Sequence, residues 1–377
     1  MGSADSMTTL RKPAGRTAPA AAKRTTTPQG QVRSASLDRF REIVSALGGD
    51  SAALLRQAGI EPALLTDDKA SVGFAAVAQL LDHAADQLEC SDLGMRLAAA
   101  QAAAGATRIL GPIGVALRNA PTLRAALQYF ADHCQAYNGA MRLYLDALPG
   151  DGRTFLLVEH TASAAGAQLQ AGEHALALLH HVCIAIGNGR LRASEIWFSH
   201  EASAPPAVYR SQFSVPVRFS QTMSGLLFDE KDLDQPLPER DAQLFEIATS
   251  YIDQRFPALS RSLASRVRIL ITHLLAEGSC THERVAAGLN LHPRTLQRRL
   301  RDEGESFEAI RDQVRRDVAL RHLAQSNVSL VRMTEILGYS ETSVLSRSCT
   351  RWFAASPRQL RKGHSGLAAA SVGEAVG

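Results

Sequence analysis

The chain has 377 residues, 45% of them hydrophobic, and a formal net charge of +4, enough for two domains that each bury a core and too near neutral for a polyionic chain. It lacks an apolar run of the roughly 18 residues that a spanning helix needs, and its basic N-terminus lacks the apolar stretch of a secretory leader. Its five cysteines (Cys90, Cys134, Cys183, Cys280 and Cys349) include no C-x-x-C pair, which argues against a disulfide framework or zinc finger and for small buried thiols in a reducing, cytoplasmic setting.

Charge is distributed unevenly. Residues 283–362 hold 15 Lys/Arg against 9 Asp/Glu, a net of +6, whereas residues 41–282 hold 19 against 25, a net of −6. A basic segment behind an acidic body fits a C-terminal part that meets phosphate.

Residues 1–36 lack periodic apolar positions and are expected to form a disordered basic tail, with order starting near Leu37. From there to about Phe130 the pattern is helical. In "FAAVAQLLDHAADQL" the residues Val77, Leu80, Leu81, Ala84 and Leu88 fall on one stripe. The stretch "LGPIGVALRNAPTLRAALQYFADHCQAY" reads as two helices broken at Pro121, with Thr122 in the first turn of the second. The period then changes: "MRLYLDAL" and "RTFLLVEHT", separated by "PGDG", predict an antiparallel hairpin. A long helix over "AGAQLQAGEHALALLHHVCIAIG" should close at Gly187, followed by a strand in "ASEIWFSHE" and a short one within "SVPVRFSQTMSGLLFDEKDL". Residues 37–235 are therefore expected to form an α+β regulatory domain. Residues 236–258, with Pro236, Pro238 and mixed charges, read as a linker.

Beyond the linker the chain reads as helix. Leu263, Val267, Leu270, Ile271 and Leu274 line one face. A repeat of pattern follows, in which Val285–Leu300 falls on Met333–Ser348 at an offset of 48 residues. Each copy has a short helix, a turn (Asn290-Leu291-His292 or Gly338-Tyr339-Ser340), and a second helix. Asn and Gly readily supply the left-handed conformation such turns require. Pro293 suits a first helical position, and Ser340 is the expected N-cap of the second copy. Leu296 and Leu300, then Val344 and Leu345, face inward, while Arg294, Thr295, Gln297 and Arg298, then Thr342, Ser343, Ser346 and Arg347, face outward. Outward donors of this kind can reach base edges in a major groove. Between the copies, Phe307, Ile310, Val314 and Val318 mark a connecting helix. Some twenty residues at about 1.5 Å each make a rod of roughly 30 Å, close to one turn of B-DNA.

"SRVRILITHLL", "HPRTLQRRLRDEGESFEAIRDQVRRDVALRHL" and "LGYSETSVLSRSCTRWFAASPRQLRK", in this order, resemble the AraC/XylS transcription regulators, whose hallmark is two helix-turn-helix units joined by a long helix. The resemblance implies an all-α DNA-binding domain over 259–362, with units at about 281–302 and 329–352, and residues 363–377 as a second disordered tail. It places Arg294, Thr295, Gln297 and Arg298 on the first reading helix, and Thr342, Ser343, Ser346 and Arg347 on the second. Arg301, Arg351 and Arg358 are the expected phosphate contacts. The chain departs from the family pattern at Leu345 and Cys349, where aromatic residues are usual, which predicts a more softly packed second unit.

The front region is similar to the arabinose-binding-like sensing domain of the same family, through "LGPIGVALRNAPTLRAALQYFADH" and "YRSQFSVPVRFSQTMSGLLFDEKDLDQPLP". That likeness implies an unknown small-molecule effector, held between the hairpin and its packed helices. Tyr129, Tyr137, Arg142, His160 and Trp197 are the pocket candidates by residue type. A metal reading of His174, His180, His181 and Cys183 is disfavoured, because one helix points them in different directions, and no cofactor is expected. The alternative of an enzyme or DNA-repair protein carrying a DNA-binding module lacks a P-loop, a G-x-S-x-G elbow or an H-E-x-x-H pair. The implied protein is a cytoplasmic, bacterial regulator of a nearby catabolic or stress operon. Its partners would be double-stranded DNA, RNA polymerase and a second copy of the chain; in this family activators outnumber repressors.

Overall fold

The structure, a computed structural model, describes residues 30–67, 70–148, 152–160, 168–256, 263–325 and 328–361. Order begins earlier than expected, which corrects the tail boundary at residue 36. Strand β1 (Gln31–Arg33) and a short 3-10 turn over Ser34–Leu37 precede α1 (Phe40–Ala46). Val32 is buried in the helical core, and β1 pairs with β2 (Ser71–Gly73). Three residues are too few to display an alternating period, so the strand is invisible in the sequence. The rest of the expected N-terminal tail, and residues 363–377, lie outside the described residues.

Helix α2 (Ser51–Gln57) starts at Asp50, whose carboxylate accepts from the backbone N–H groups of Ala52 and Ala53. Helices α3 (Phe74–Gln87) and α4 (Leu93–Ala103) complete a first helical layer. Val77, Leu80, Leu81 and Ala84 are buried along α3, as their spacing predicts. Helix α5 (Pro112–Asn119) and α6 (Leu123–His133) follow. Thr122 stands one position earlier than its expected place in the first turn: it is the N-cap of α6, accepting from Ala125 N at 3.1 Å.

The predicted hairpin is β3 (Met141–Ala147) with β4 (Arg153–His160), in antiparallel register from Met141↔His160 to Ala147↔Thr154. Helix α7 (Leu169–Ile186) ends at Gly187. It lies so close to α4 that a Cβ on Gly94 would stand 2.1 Å from the Gln170 carbonyl oxygen. Strand β5 (Glu195–Trp197), α8 (Pro206–Phe213), β6 (Val217–Arg218), β7 (Gly225–Asp229) and α9 (Glu230–Leu233) complete the α+β fold. The stretch after β5 thus holds two strands, β6 and β7, where one was expected. The sheet order is β3-β4-β7-β5-β6, with only β5 and β6 parallel.

Side chains alternate across the sheet. Met141, Leu143, Leu145, Leu156 and Val158 join the core with α6 and α7. Tyr144, Phe155, Leu157, Trp197 and Leu227 pack on the opposite face, where Ile269 of α11 (Leu263–Ala276) covers them.

The linker expected at 236–258 is also corrected. Most of it is α10 (Ala242–Arg255), capped by Asp241 through the N–H groups of Gln243 and Leu244. Ala248, Ile252 and Phe256, spaced by one helical turn, are buried in the core of the front domain. Arg124 holds the preceding segment through Asp234 at 2.6 Å and through Glu230.

The C-terminal part is all helix: α11, α12 (His282–Gly288), α13 (Pro293–Asp302), α14 (Phe307–Gln325), α15 (Leu330–Ile336) and α16 (Thr342–Phe353). One apolar cluster runs through all six, including Val267, Leu296, Val314 and Leu345, so both helix-turn-helix units share a single core.

Candidate nucleic-acid interface and effector cavity

The 48-residue repeat is present in the backbone. Helix α12 begins at His282 and ends at Gly288, and α15 begins at Leu330 and ends at Ile336, both displaced by 48. Their caps repeat as well. Thr281 accepts from Arg284 N at 3.2 Å, and Ser329 from Arg332 N at 3.1 Å. The turns use left-handed residues as predicted, Asn290 at φ 54° and Gly338 at φ 61°.

Pro293 opens α13 at its first helical position, with His292 Nδ1 accepting from Arg294 N at 3.2 Å. The second copy departs from expectation, because the N-cap of α16 is Glu341 and not Ser340. Glu341 does not cap through its side chain; it accepts instead from Ser343 Oγ at 2.9 Å.

On α13, Leu296 and Leu300 are fully buried, while Arg294, Gln297, Arg298 and Arg301 are exposed and Thr295 is half-buried. These arginines make no side-chain ion pair with any described residue. Free guanidinium groups on one exposed helix face are what base and phosphate contact requires. Helix α13 therefore presents its exposed candidates as one uncommitted surface.

Helix α16 is more committed. Arg347 is exposed, but Ser346 Oγ donates to the Thr342 carbonyl at 3.0 Å. Arg351 pairs with Asp312 of α14, and Trp352 Nε1 donates to the same carboxylate at 2.9 Å. Asp312 thus fastens α16 to the connecting helix and occupies a side chain expected to meet phosphate. Arg358 is exposed beyond α16. Leu345 and Cys349 are fully buried, so the positions that depart from the family pattern still fill the core.

Helix α14 has 19 residues, a length of about 28 Å at the usual rise. Phe307, Ile310, Val314 and Val318 are buried along it, as their spacing predicts. Arg315 braces the second unit, donating from Nε to the Leu337 carbonyl at 2.9 Å and from Nη2 to Gly338 O at 3.0 Å. Its guanidinium also lies 4.4 Å from the Tyr339 ring centroid.

In the front domain a cavity of about 50 Å³ lies between the start of the hairpin, α3 and α7. Of the pocket candidates, Tyr137 and His160 line it, and Tyr129, Arg142 and Trp197 do not. Tyr129 instead donates to Asp253 Oδ1 of α10 at 3.0 Å and stacks on His133. Trp197 donates to Glu195 at 2.9 Å on the far face of the sheet. Arg142 shares the strand parity of Tyr144, on that same far face. Sequence reasoning missed Ser36, Phe74, Asn138 and His174 of the lining, which come from four separate segments that only the fold brings together.

The imidazoles there are held neutral. Burial pushes His160 and His174 down to about 4. His160 stacks on Phe74 at 4.8 Å, and His174 Nε2 bonds Gln101 Oε1 at 2.8 Å. The remaining members of the disfavoured metal set are likewise dispersed: His180 Nε2 bonds the Phe213 carbonyl, and Cys183 is buried with its thiol raised to about 12. Among the described residues, no group of three or more His, Cys, Asp or Glu could hold a metal ion. None of the described helices is long and apolar enough to cross a membrane.

Comparison with known proteins fits this architecture. Residues 48–237 match the model of the arabinose-binding N-terminal domain of AraC transcription regulators, and residues 285–363 match a helix-turn-helix domain model. The chain is 32% identical over 330 residues to the HTH-type transcriptional regulator VirS of Mycobacterium tuberculosis, covering 88% of this chain and 96% of that one. It is 23% identical over 324 residues to the ornithine utilization regulator of Pseudomonas aeruginosa, covering 85% and 93%. Among solved structures, the transcriptional regulator CdpR from Pseudomonas aeruginosa aligns with a TM-score of 0.39 and 19% identity, over 85% of this chain and 98% of that one. The chain belongs to the AraC family of helix-turn-helix transcription regulators.

Proposed function

We propose that this regulator places α13 and α16 in two successive major grooves on one face of the duplex. The observation that carries the reading is the 48-residue repeat joined by α14, whose length of about 28 Å approaches one turn of B-DNA. In this reading Arg294, Thr295, Gln297 and Arg298 meet base edges in the first groove, and Thr342, Ser343, Ser346 and Arg347 in the second. Arg301 and Arg358 meet phosphate. Arg351, held by Asp312, positions α16 and adds charge near the backbone.

The front domain supplies the switch. An effector in the cavity touches Met141 and His160, at the paired ends of β3 and β4. The opposite face of the same sheet carries Ile269 of the DNA-binding domain. Ligand binding that shifts the hairpin therefore changes how α11 is seated, and with it the orientation of the reading helices. We read the protein as an activator of a nearby catabolic or stress operon that works with RNA polymerase as a homodimer in the bacterial cytoplasm. The test compares operator affinity and promoter output with and without effector. A change in either supports the switch, and no change in both refutes it.

A further inference from the structure

The cavity has a chemical character that narrows what it accepts. Most of its wall is aliphatic or aromatic, including Val77, Leu81, Leu110, Phe130, Leu178 and Val182. Its polar members are Ser36, Tyr137, Asn138, His160 and His174, and none of the described lining residues is Asp, Glu, Lys or Arg. Two of the polar groups have no use in the fold. The Tyr137 hydroxyl and Ser36 Oγ are buried, with no hydrogen-bond partner among the described residues. A buried donor without a partner is costly, and proteins seldom keep one that does no work. Here two such groups line the same small space.

We infer that the cavity binds a small, uncharged, largely apolar molecule carrying one hydroxyl or carbonyl oxygen, which bonds the Tyr137 hydroxyl and Ser36 Oγ. This rests on the reading of the front domain as an effector domain, and it separates the ligand from three charged or polar classes. A carboxylate would enter an apolar wall whose lining holds no Lys or Arg to meet it. An amino acid would bring two charges into a lining without an Asp, Glu, Lys or Arg, with Arg33 and Asp38 acting on the Tyr137 hydroxyl only from outside it. A sugar carries several hydroxyls, many of which would face the aliphatic and aromatic wall. The neutral state of His160 and His174 supports the same conclusion, because neither imidazole supplies positive charge at neutral pH. Size points the same way: about 50 Å³ of free space is well below the roughly 150 Å³ cavity that admits benzene. The ligand is therefore small, or enters with a slight outward movement of the wall.

The test is calorimetric titration of the full chain at pH 7, without DNA, with butan-1-ol, pentan-1-ol and hexan-1-ol, set against hexanoate, L-ornithine and L-arabinose. Binding by at least one of the alcohols, stronger than by the other three, is the expected result. Tyr137→Phe removes only an oxygen that the fold does not use, so its unfolding midpoint should stay level or rise. Its alcohol affinity should fall by about fivefold, the worth of one hydrogen bond. Ser36→Ala provides a second, independent loss. No binding of any alcohol, tighter binding of hexanoate, ornithine or arabinose, or unchanged affinity in both variants would each overturn the inference. Operator retention measured separately on the same preparation keeps the outcomes distinct. DNA binding without alcohol binding sinks the ligand class alone, whereas alcohol binding that leaves DNA affinity and promoter output unchanged sinks the switch and keeps the ligand class.

Discussion

Arg266 of α11 lies 3.6 Å from Asp146 of β3, and this ion pair crosses from the DNA-binding domain to the sheet of the front domain. Ile269, one helical turn along, is buried against Tyr144, Phe155 and Trp197. The pair is partly exposed and contributes little stability by itself, but it fixes which part of α11 meets which strand. Ile269→Asp puts a charge into that apolar contact and should free the two domains from each other. The expected result is faster proteolytic cleavage between them, an operator footprint that persists, and promoter output that no longer follows effector. Retained effector response in a variant shown to be undocked would remove the sheet from the signalling route.

Arg298→Ala tests the proposed base-reading role of α13. The side chain is exposed and forms no ion pair with any described residue, so the free energy of unfolding should stay within about 0.5 kcal/mol of the parent. Operator binding should weaken by about 1–3 kcal/mol if the guanidinium makes a bidentate base contact. An unaltered operator affinity in a gel-shift titration would return Arg298 to the solvent.

Cys349→Phe tests whether the second unit is under-packed. Cys349 has no exposed surface and belongs to the shared core. A core that has already closed around a small side chain should lose about 1–3 kcal/mol on enlargement. Denaturant unfolding gives the sign. A gain in stability would mean that the space of the usual ring is still open.

Gly94→Ala tests the close approach of α4 and α7. Its Cβ would meet the Gln170 backbone, which cannot swing aside as a side chain can. The cost should exceed the roughly 1 kcal/mol by which Ala is favoured over Gly in an open helix, giving a net loss of about 1–3 kcal/mol. A stabilised variant would contradict the tight contact.

The acid dependence has opposing parts. His160, His174 and His180 are held near 4 by burial. In the unfolded chain they take up protons near 6.5, so each contributes stability that is whole above about 6.5 and lost as pH falls toward 4. Glu173 runs the other way. Burial raises it to about 7, against the hydrogen bonds from Tyr209 and Ser203. Its carboxyl is protonated in the fold where the unfolded chain is ionised, so its contribution is whole below about 4.5 and lost as pH rises through 7. Glu173→Gln should therefore lose ground to the parent by about 1.4 kcal/mol per pH unit between pH 6.5 and 5. Parallel stability curves for the two proteins would refute the assignment.

The DNA-binding half was legible because its signals are local. Asn290, Pro293 and Gly338 each dictate a backbone state within a turn, and the stripe from Phe307 to Val318 spans one helix. The front half yielded its hairpin for the same reason, since alternation and "PGDG" are short-range. Helix α10 was hidden because Pro236 and Pro238 suggest a linker, while the stripe that matters, Ala248, Ile252 and Phe256, begins well after them. The cavity was legible only in part: Tyr137 and His160 were among its candidates, but most of its lining was not. Ser36, Phe74, Tyr137 and His174 lie in different segments, and no periodicity relates them. Tyr129 has the right chemistry and the wrong face, because its hydroxyl is taken by Asp253.

Nuclease footprinting of the purified protein on the DNA upstream of its own gene and its neighbours tests the central claim most directly. The account predicts protection of about 20 bp per protomer, with two major-groove contacts about one helical turn apart. Protection of only half that length, unchanged when Arg347 is replaced by Ala, would mean that α16 does not read DNA and would contradict the two-groove account.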